Sequence, residues 1–339
     1  MPLPKPLAHS TDDLPSAPPV VPDTDGCPRF GRFAGSVRDI DWSRLAGPYG
    51  RGAFWRHFHH KRWQYVALAT EELFCGIAIV DLGWTNTAFA YAFDRVARRE
   101  VAGYSQNGLP GFGAQVAAHP GEASTFSWPG SRIGFRARDG RYQLDLRCRG
   151  FEIDAEFAAN DTPLLLAVGP IAGGSVHATQ KSGGMPLTGE VRAAGRRYRL
   201  DDGVASFDYS NGLLARETSW QWASAHGLEL GFNLQAGYFG NHENALWLDG
   251  QLIPLGAARF DYNRADPLAP WHIHTDDGLL DLQFAPEGAR REDKNLLVAA
   301  SRYIQPIGSF SGWVKAHPDA APRRIERLAG VTEDHFSRW

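Results

Sequence analysis

The sequence predicts an all-β protein made of two successive antiparallel barrels or wrapped sheets, with few short helices. Apolar and polar residues alternate through 142–148, 151–157, 228–235 and 280–284. Because successive side chains of a strand point to opposite faces, this period gives each strand one apolar and one polar face. Dipeptides that favour tight hairpins stand among the runs, at Asn107-Gly108, Asp139-Gly140, Asp202-Gly203, Asn211-Gly212, Asp249-Gly250 and Asp277-Gly278. Closed sheets are expected because closure removes exposed edges.

The elements follow in order along the chain. Eight of the 22 prolines fall within residues 1–28, which predicts a disordered or extended tail because proline removes a backbone donor. We expect an N-terminal β domain over 29–170 and a C-terminal β domain over 171–339. Apolar stretches at 73–82 and 85–93 predict core hairpin strands. Short helices are expected at 41–45, 70–72 and 332–339, the last with Thr332 as a candidate cap.

Composition excludes several classes of protein. The 339 residues carry a net charge of −3, with 43% hydrophobic and 22% charged residues, which is typical of a globular protein. A nucleic-acid binder or a polybasic membrane anchor would need a basic excess. No run of 18 apolar residues is present, and Asp12 and Asp13 interrupt the place of a signal-peptide core. Three scattered cysteines make no disulfide framework, so a cytoplasmic location is expected. Phosphate-loop and serine-elbow motifs are missing, and no cofactor is expected.

An ordered string of motifs in the second half resembles a known family. The string is Asp208-Tyr209-Ser210-Asn211-Gly212, Trp220-Gln221-Trp222-Ala223, Gly231-Phe232-Asn233-Leu234, Glu243-Asn244, Asp249-Gly250, Trp271, Asp277-Gly278, Gln305-Pro306-Ile307-Gly308, Gly330, Glu333 and Trp339. It resembles the bacterial family known as domain of unknown function 2804, over about residues 30–339. That family is in turn similar to two-domain lipocalin-like proteins, which include carotenoid 1,2-hydratases and calycin-type cyclases. The resemblance implies two lipocalin-like barrels and an apolar substrate between them, but no established activity.

Two carboxylates are the candidate catalytic residues. Asp208 precedes Asn211-Gly212, and Glu243 stands at the entry to the apolar run 245–248. A buried carboxyl group with a raised pKa can donate or accept a proton. The alternative for each is structural, because a carboxylate near a turn commonly binds backbone N–H groups. Whether the two meet is left open.

The candidate substrate-binding residues are aromatic, amide and basic. Trp220 and Trp222 share a strand face and can wall an apolar cavity or stabilise a cation, or else fill a core. Asn233 can orient a substrate if the polar face of its strand, shared with Gln235, looks inward. Lys181 alternates with His177 on one strand face and can hold an anion, or can be an ordinary part-exposed lysine. The substrate-binding set is completed by Asn244, Trp271 and Gln305.

Two groups of histidines resemble metal ligands but are incomplete. His57 and His59 would share a strand face beside His60, and His272 and His274 flank Ile273. A zinc or iron site needs a third ligand, and none stands at motif spacing near either group. No metal site is therefore predicted.

The function that these features favour is a small-molecule enzyme. We expect acid–base chemistry without redox, of the hydration or isomerisation type, on an apolar isoprenoid or acyl-type substrate. The alternatives are a non-catalytic carrier of a lipid or other hydrophobic ligand and, ranked lower, a sugar-binding protein. The expected partner is a hydrophobic small molecule and not a nucleic acid, with no transmembrane segment; the sequence predicts no oligomeric state.

Overall fold

The computed structural model describes residues 14–119, 122–138, 140–158, 163–295 and 299–339. Most of these residues lie in two curled antiparallel sheets, which confirms the predicted all-β class of two lipocalin-like units. The described helices are short: α1 spans Ala53–His59, and 3-10 turns span Trp42–Arg44 and Gly47–Tyr49. No helix in these ranges has both the length and the apolar character needed to cross a bilayer.

The first large sheet and a small parallel pair, β1 and β3, hold the strands up to Leu213. Their bounds are β1 (Val20–Val21), β2 (Gly31–Ala34), β3 (Asp39–Ile40), β4 (His60–Ala69), β5 (Leu73–Asp81), β6 (Asn86–Asp94), β7 (Arg99–Asn107), β8 (Ala114–Gln115), β9 (Ser124–Trp128), β10 (Ser131–Arg138), β11 (Arg141–Cys148), β12 (Phe151–Ala158), β13 (Leu165–Pro170), β14 (Val176–Lys181), β15 (Met185–Ala193), β16 (Arg196–Arg199) and β17 (Gly203–Leu213). The main path is β7-β6-β5-β4-β17-β15-β12-β11-β10-β9-β8.

Strand β17 organises the first sheet. It pairs with β4 along one side, and with β14 and then β15 along the other. In the β14–β17 register, Lys181 lies directly opposite Asp208. The alternating strands turn their apolar faces into one core, which includes Ile77, Phe135 and Leu146. The opposite face of β4, β5 and β17 turns toward the second sheet.

The second sheet holds the rest of the chain. Its strands are β18 (Glu217–His226), β19 (Leu230–Gly237), β20 (Ala245–Leu248), β21 (Gln251–Pro254), β22 (Ala258–Asp261), β23 (Trp271–Thr275), β24 (Leu280–Asn295), β25 (Ala300–Val314) and β26 (Arg323–Arg338). They are ordered β21-β20-β19-β18-β26-β25-β24-β23-β22. A separate core, with Phe232, Trp271 and Phe310, fills the inside of this sheet.

The two sheets pack against each other through a third apolar cluster. It joins Tyr65, Phe74 and Tyr91 of the first sheet to Trp222, Ile307 and Val331 of the second. A buried ion pair also crosses this interface, with Arg95 Nη2 2.9 Å from Glu287 Oε1. The space between the sheets is therefore partly filled and partly left as a cavity.

Several local predictions are confirmed. The alternating runs 142–148 and 151–157 lie in β11 and β12, and the hairpin stretches form β5 and β6. The short helix expected at 41–45 is the 3-10 turn Trp42–Arg44, capped by Asp41. The predicted hairpin turn at Asp249-Gly250 is also confirmed, because both residues have positive φ and the turn joins the paired strands β20 and β21.

Other local predictions are wrong. Residues 332–339 are not a helix, because Thr332 and its neighbours pair with β18 on one side and β25 on the other. Two ladders of backbone hydrogen bonds outweigh a local capping signal. Asn211-Gly212 is not a turn but lies within β17, paired with β4 and β14. Residues 70–72 form only the loop between β4 and β5. Leu228 precedes β19 and is exposed.

The predicted tail of residues 1–28 is described only from residue 14 onward. Residues 1–13 lie outside the described part of the chain. Val21 is buried, and it pairs with Ile40 of β3. Sheet membership changes between Leu213 and Glu217, since β14 to β17 pair in the first sheet. The division at 170/171 therefore remains a prediction about domains and does not match the change of sheet.

Candidate functional site

A cavity of about 130 Å³ lies between the two sheets. Its lining residues come from both sheets and are mainly aromatic, with the charged groups in two clusters. They are Trp63, Tyr65, Ala78, Val80, Phe89, Lys181, Asp208, Trp220, Trp222, Gln235, Tyr238, Glu243, Tyr303, Gln305, Glu333, His335 and Trp339. A second cavity of about 240 Å³ shares Val80, Phe89, Tyr303, His335 and Trp339 with the first. The two together give room for an elongated molecule.

One cluster of charged lining residues, here called the lysine end, consists of Lys181, Asp208 and Glu243. Lys181 Nζ contacts Asp208 Oδ2 and lies 3.3 Å from Glu243 Oε2. The three side chains are only 4%, 14% and 6% exposed. The strand register places the first two opposite each other, and the loop before β20 brings Glu243 across from the second sheet. The structure therefore brings together both predicted catalytic residues.

Charge balance at the lysine end favours a proton on Glu243. One lysine faces two carboxylates, and a buried net charge is costly. Burial raises the pKa of Glu243 above its ordinary value; Lys181 opposes this shift and Asp208 adds to it. Burial would lower the pKa of Lys181, but Asp208 and Glu243 outweigh burial, so that the pKa is raised. The arrangement is thus a Lys181–Asp208 ion pair beside a buried carboxyl group with a raised pKa.

Some residues that line the cavity carry buried polar atoms without hydrogen-bond partners in the described structure. Gln235 is 2% exposed, and neither its amide nitrogen nor its amide oxygen is hydrogen-bonded in the described structure. The hydroxyls of Tyr65 and Tyr303 are likewise unpartnered there. Leaving a buried polar group unpaired costs about 1–3 kcal/mol. These groups are therefore suited to bind a polar part of a ligand.

The predicted tryptophan walls are present. Trp220 and Trp222 both line the cavity, and Tyr65 packs edge-on against Trp222 at 5.8 Å between ring centroids. Asn233 does not line the cavity; it accepts a hydrogen bond from Trp222 Nε1 at 2.8 Å and donates to the Glu243 carbonyl at 3.0 Å. Asn233 thus holds the Trp222 ring and the backbone of Glu243 in position. Gln235, two residues further along the same strand face, is the amide that lines the cavity.

A second cluster of polar lining residues, here called the histidine end, consists of Glu333, His335 and Gln305. Trp220 Nε1 donates to Glu333 Oε1 at 3.0 Å, and Gln305 Nε2 donates to Oε2 at 2.7 Å. His335 Nδ1 lies 3.0 Å from the first of these oxygens. Gln305 in turn accepts from the Tyr91 hydroxyl at 2.6 Å. Both carboxylate oxygens are therefore engaged by side chains of the protein.

Of the residues at the histidine end, only Gln305 was predicted from the sequence to bind the substrate. Glu333 and His335 lie in a segment that was predicted to be a helix, and a helix places side chains at a different spacing from a strand. In the actual strand both face the same side, and they pair with Trp222 and Trp220 respectively. Glu333 had one available signal, its place in the ordered family string.

Three further predicted binding residues, besides Asn233, lie away from the cavity. His177 is buried edge-on against Phe239 at 4.6 Å, and burial lowers its pKa well below the ordinary value. Asn244 accepts from the Gln235 backbone N–H at 2.6 Å and donates to the Gly256 carbonyl, so it fixes a loop. Trp271 stacks on Tyr262 at 3.7 Å within the core of the second sheet.

The histidine tract also differs from its prediction. His57 and His59 lie in α1 and not on a strand. His59 Nδ1 is 2.6 Å from the Leu214 carbonyl, and His60 Nε2 is 2.7 Å from Asn211 Oδ1. Burial lowers the pKa of His60 to about 4. These contacts give the tract a structural role.

Comparisons with known proteins agree with this architecture. A putative AttH from Nitrosomonas europaea has a TM-score of 0.53 at 14% identity, covering 86% of this chain and 96% of its own. Kievitone hydratase from Nectria haematococca has a TM-score of 0.50 at 11% identity, covering 86% and 93%. CghA with Sch210972 has a TM-score of 0.51 at 10% identity, covering 82% and 88%. At such identities the likeness concerns the fold alone.

Sequence comparisons are more specific about family than about function. No curated protein gives a significant match. A family model described as Domain of unknown function (DUF2804) matches residues 16–339, which includes every residue of the two cavity ends. The chain therefore belongs to the DUF2804 family.

Proposed function

We propose that this protein is an enzyme that protonates an apolar small molecule in a hydration or isomerisation without redox chemistry. The observation that carries the proposal is the lysine end: a buried lysine shared by two carboxylates at the end of a cavity walled by tryptophans. A carboxyl group in such surroundings can hold a proton near neutral pH and give it to a substrate.

The proton donor in this proposal is Glu243. Its carboxyl proton passes to one carbon of a substrate double bond, where a C–H bond forms as the π bond breaks. The positive charge that develops on the neighbouring carbon lies between aromatic faces, with Trp220 and Trp222 as its nearest walls. Gln235 and the Tyr65 hydroxyl orient a polar group of the same substrate.

Asp208 completes the step. In hydration, a water molecule forms a C–O bond to the cationic carbon and gives its extra proton to Asp208. In isomerisation, Asp208 instead removes a proton from an adjacent carbon, and a double bond forms there. Lys181 holds Asp208 in place, and proton exchange with water returns the proton to Glu243. No oxidant or reductant is needed in either case.

The substrate class follows from the lining. The walls are aromatic and aliphatic, polar groups are few, and a second cavity shares five lining residues with the first. Such a site favours an extended apolar molecule with one polar group, of isoprenoid or acyl type. A hydratase among the solved structures of the same fold is consistent with the proposed chemistry.

The proposal is tested with deuterium. The protein is incubated in D2O with an apolar extract of its host cells, and the compounds are compared by mass spectrometry. We expect one compound to gain either D2O or carbon-bound deuterium with the unchanged protein, and not with Glu243→Gln. Glu229→Gln is the control, because Glu229 is exposed and pairs only at the surface with Arg323.

Two outcomes contradict the enzyme proposal. Equal conversion by the unchanged protein and by Glu243→Gln would remove Glu243 from the chemistry. A compound that copurifies with the protein in equal amount and never changes would instead favour the carrier of hydrophobic ligands.

A further inference from the structure

A cluster of potential metal ligands lies on the outer face of the second sheet, away from the cavity. One ligand atom each from Asp261, His272 and His274 can be chosen so that all three lie within 4.8 Å of one another. We propose that these side chains bind a divalent transition metal ion such as Zn²⁺. The sequence alone lacked a third ligand for this histidine pair, and strand pairing supplies it.

The strand geometry explains why the three groups meet. In β23 the buried residues Trp271, Ile273 and Thr275 alternate with His272 and His274, so both imidazoles point outward. Asp261 of β22 lies directly opposite His272. The three residues thus form a triangle on two adjacent strands, a rigid support for a site.

The distances suit a small ion. Asp261 Oδ2 lies 3.9 Å from His272 Nδ1 and 3.8 Å from His274 Nδ1. Around a tetrahedral zinc ion with bonds of roughly 2.1 Å, neighbouring ligand atoms are about 3.4 Å apart. Small side-chain rotations close that difference. Two imidazoles and a carboxylate are a usual zinc donor set, with water at the fourth position.

The hydrogen bonds around the cluster leave the right nitrogen atoms available. His272 Nε2 lies 2.9 Å from Asp281 Oδ1, so this nitrogen donates to the carboxylate and leaves the Nδ1 lone pair toward Asp261. His274 Nδ1 is buried and makes no hydrogen bond in the described part of the chain. A metal ion would occupy the point toward which these two nitrogens and Asp261 converge.

The ion would also attach the edge strand β22 more firmly to the second sheet. β22 is the last strand in the sheet order and pairs only with β23 along the described ladder. A bond from Asp261 to an ion held by β23 joins these strands. Bound Zn²⁺ therefore raises the melting temperature of the whole protein.

The experiment titrates chelator-treated full-length protein with Zn²⁺ alone, by calorimetry. We expect one ion per chain and a rise in melting temperature. His272→Ala and His274→Gln each weaken binding at least tenfold, and Asp281→Asn weakens it about tenfold because it loosens the imidazole. His317→Ala, which removes an exposed histidine elsewhere, leaves affinity unchanged.

The result that overturns the proposal is equally direct. Zn²⁺ affinity and melting temperature that are the same for His274→Gln as for the unchanged protein would place any bound ion elsewhere. An absence of stoichiometric binding would also reject the site. Because both histidines are part-exposed on an outer face, these variants keep the fold, and circular dichroism verifies this.

Discussion

The lysine end and the histidine end each present a carboxylate to the cavity, but the neighbours of that carboxylate differ. At the histidine end, Glu333 is held by Trp220, Gln305 and His335, so both of its oxygens are engaged. At the lysine end, Glu243 shares one lysine with Asp208. The first arrangement fixes a carboxylate within a structural network. The second leaves one carboxyl group more than the cation can balance, and in the proposed function that extra carboxyl group is the proton donor.

The largest expected effect compares the two glutamates directly. Glu243→Gln removes the proposed donor and should lower turnover, measured by deuterium incorporation, by about 10²–10⁴-fold. Glu333→Gln should lower it by less than about tenfold, since general acid catalysis does not pass through it. Similar losses in the two variants would contradict the assignment of different roles to the two ends.

The next effect concerns stability. Lys181→Met leaves Asp208 and Glu243 buried without their cation and should lower the free energy of unfolding by about 3–5 kcal/mol in urea. The control is Lys294, which pairs with Glu292 at 3.2 Å near the surface. Lys294→Met should therefore lower the free energy of unfolding by less than about 1 kcal/mol. Equal costs would show that the lysine end is no more than an ordinary ion pair. Combining Lys181→Met with Asp208→Leu should recover part of the loss.

A pH series separates Glu243 from Lys181. Because the folded pKa of Glu243 is raised, its stabilising contribution is greatest below the ordinary value of 4.5 and is lost as pH rises through the folded value. The raised pKa of Lys181 acts in another window: its contribution is complete below 10.5 and is lost at higher pH. Urea unfolding of Glu243→Gln should therefore depend less on pH above 4.5. An unchanged slope would contradict the raised pKa.

The smallest effect sharpens the comparison between two amides on one strand. Gln235→Met removes an unpaired amide and should leave the free energy of unfolding equal or raise it by about 1 kcal/mol. Asn233→Leu breaks the bonds to Trp222 and to the Glu243 carbonyl and should lower it by about 2 kcal/mol. Thermal unfolding measures both. A larger loss of unfolding free energy in Gln235→Met than in Asn233→Leu would mean that Gln235, and not Asn233, stabilises the fold.

The predictability of the fold has a physical basis in local pattern. Alternation of apolar and polar residues shows which face of a strand is buried. The runs at 142–148 and 151–157 therefore predict β11 and β12 even when the strands that pair with them are unknown. Residues 332–339 show the limit of this reasoning. Their capping signal is local, whereas the strand is determined by pairing with β18 and β25, which are distant in sequence.

The site was predicted in part for the same reason. Residue types indicated Asp208, Glu243, Trp220 and Trp222, but the contact of Lys181 with both acids depends on strand register and on the packing of two sheets. The alternating pattern also cannot tell an inward polar face from an outward one. Asn233 and Gln235 share one strand face, so the pattern does not choose between them, and Asn233 was preferred on the family resemblance. Trp271 was assigned to a site, but it fills a core.

The proposed function requires a proton on Glu243 near neutral pH beside the Lys181–Asp208 pair, and infrared spectroscopy tests this requirement without knowledge of the substrate. A protonated carboxyl group has a carbonyl stretching band distinct from that of a carboxylate. We predict such a band at neutral pH in the unchanged protein and in Glu333→Gln, and its loss in Glu243→Gln. A spectrum without the band, or a band that survives Glu243→Gln, would contradict the account.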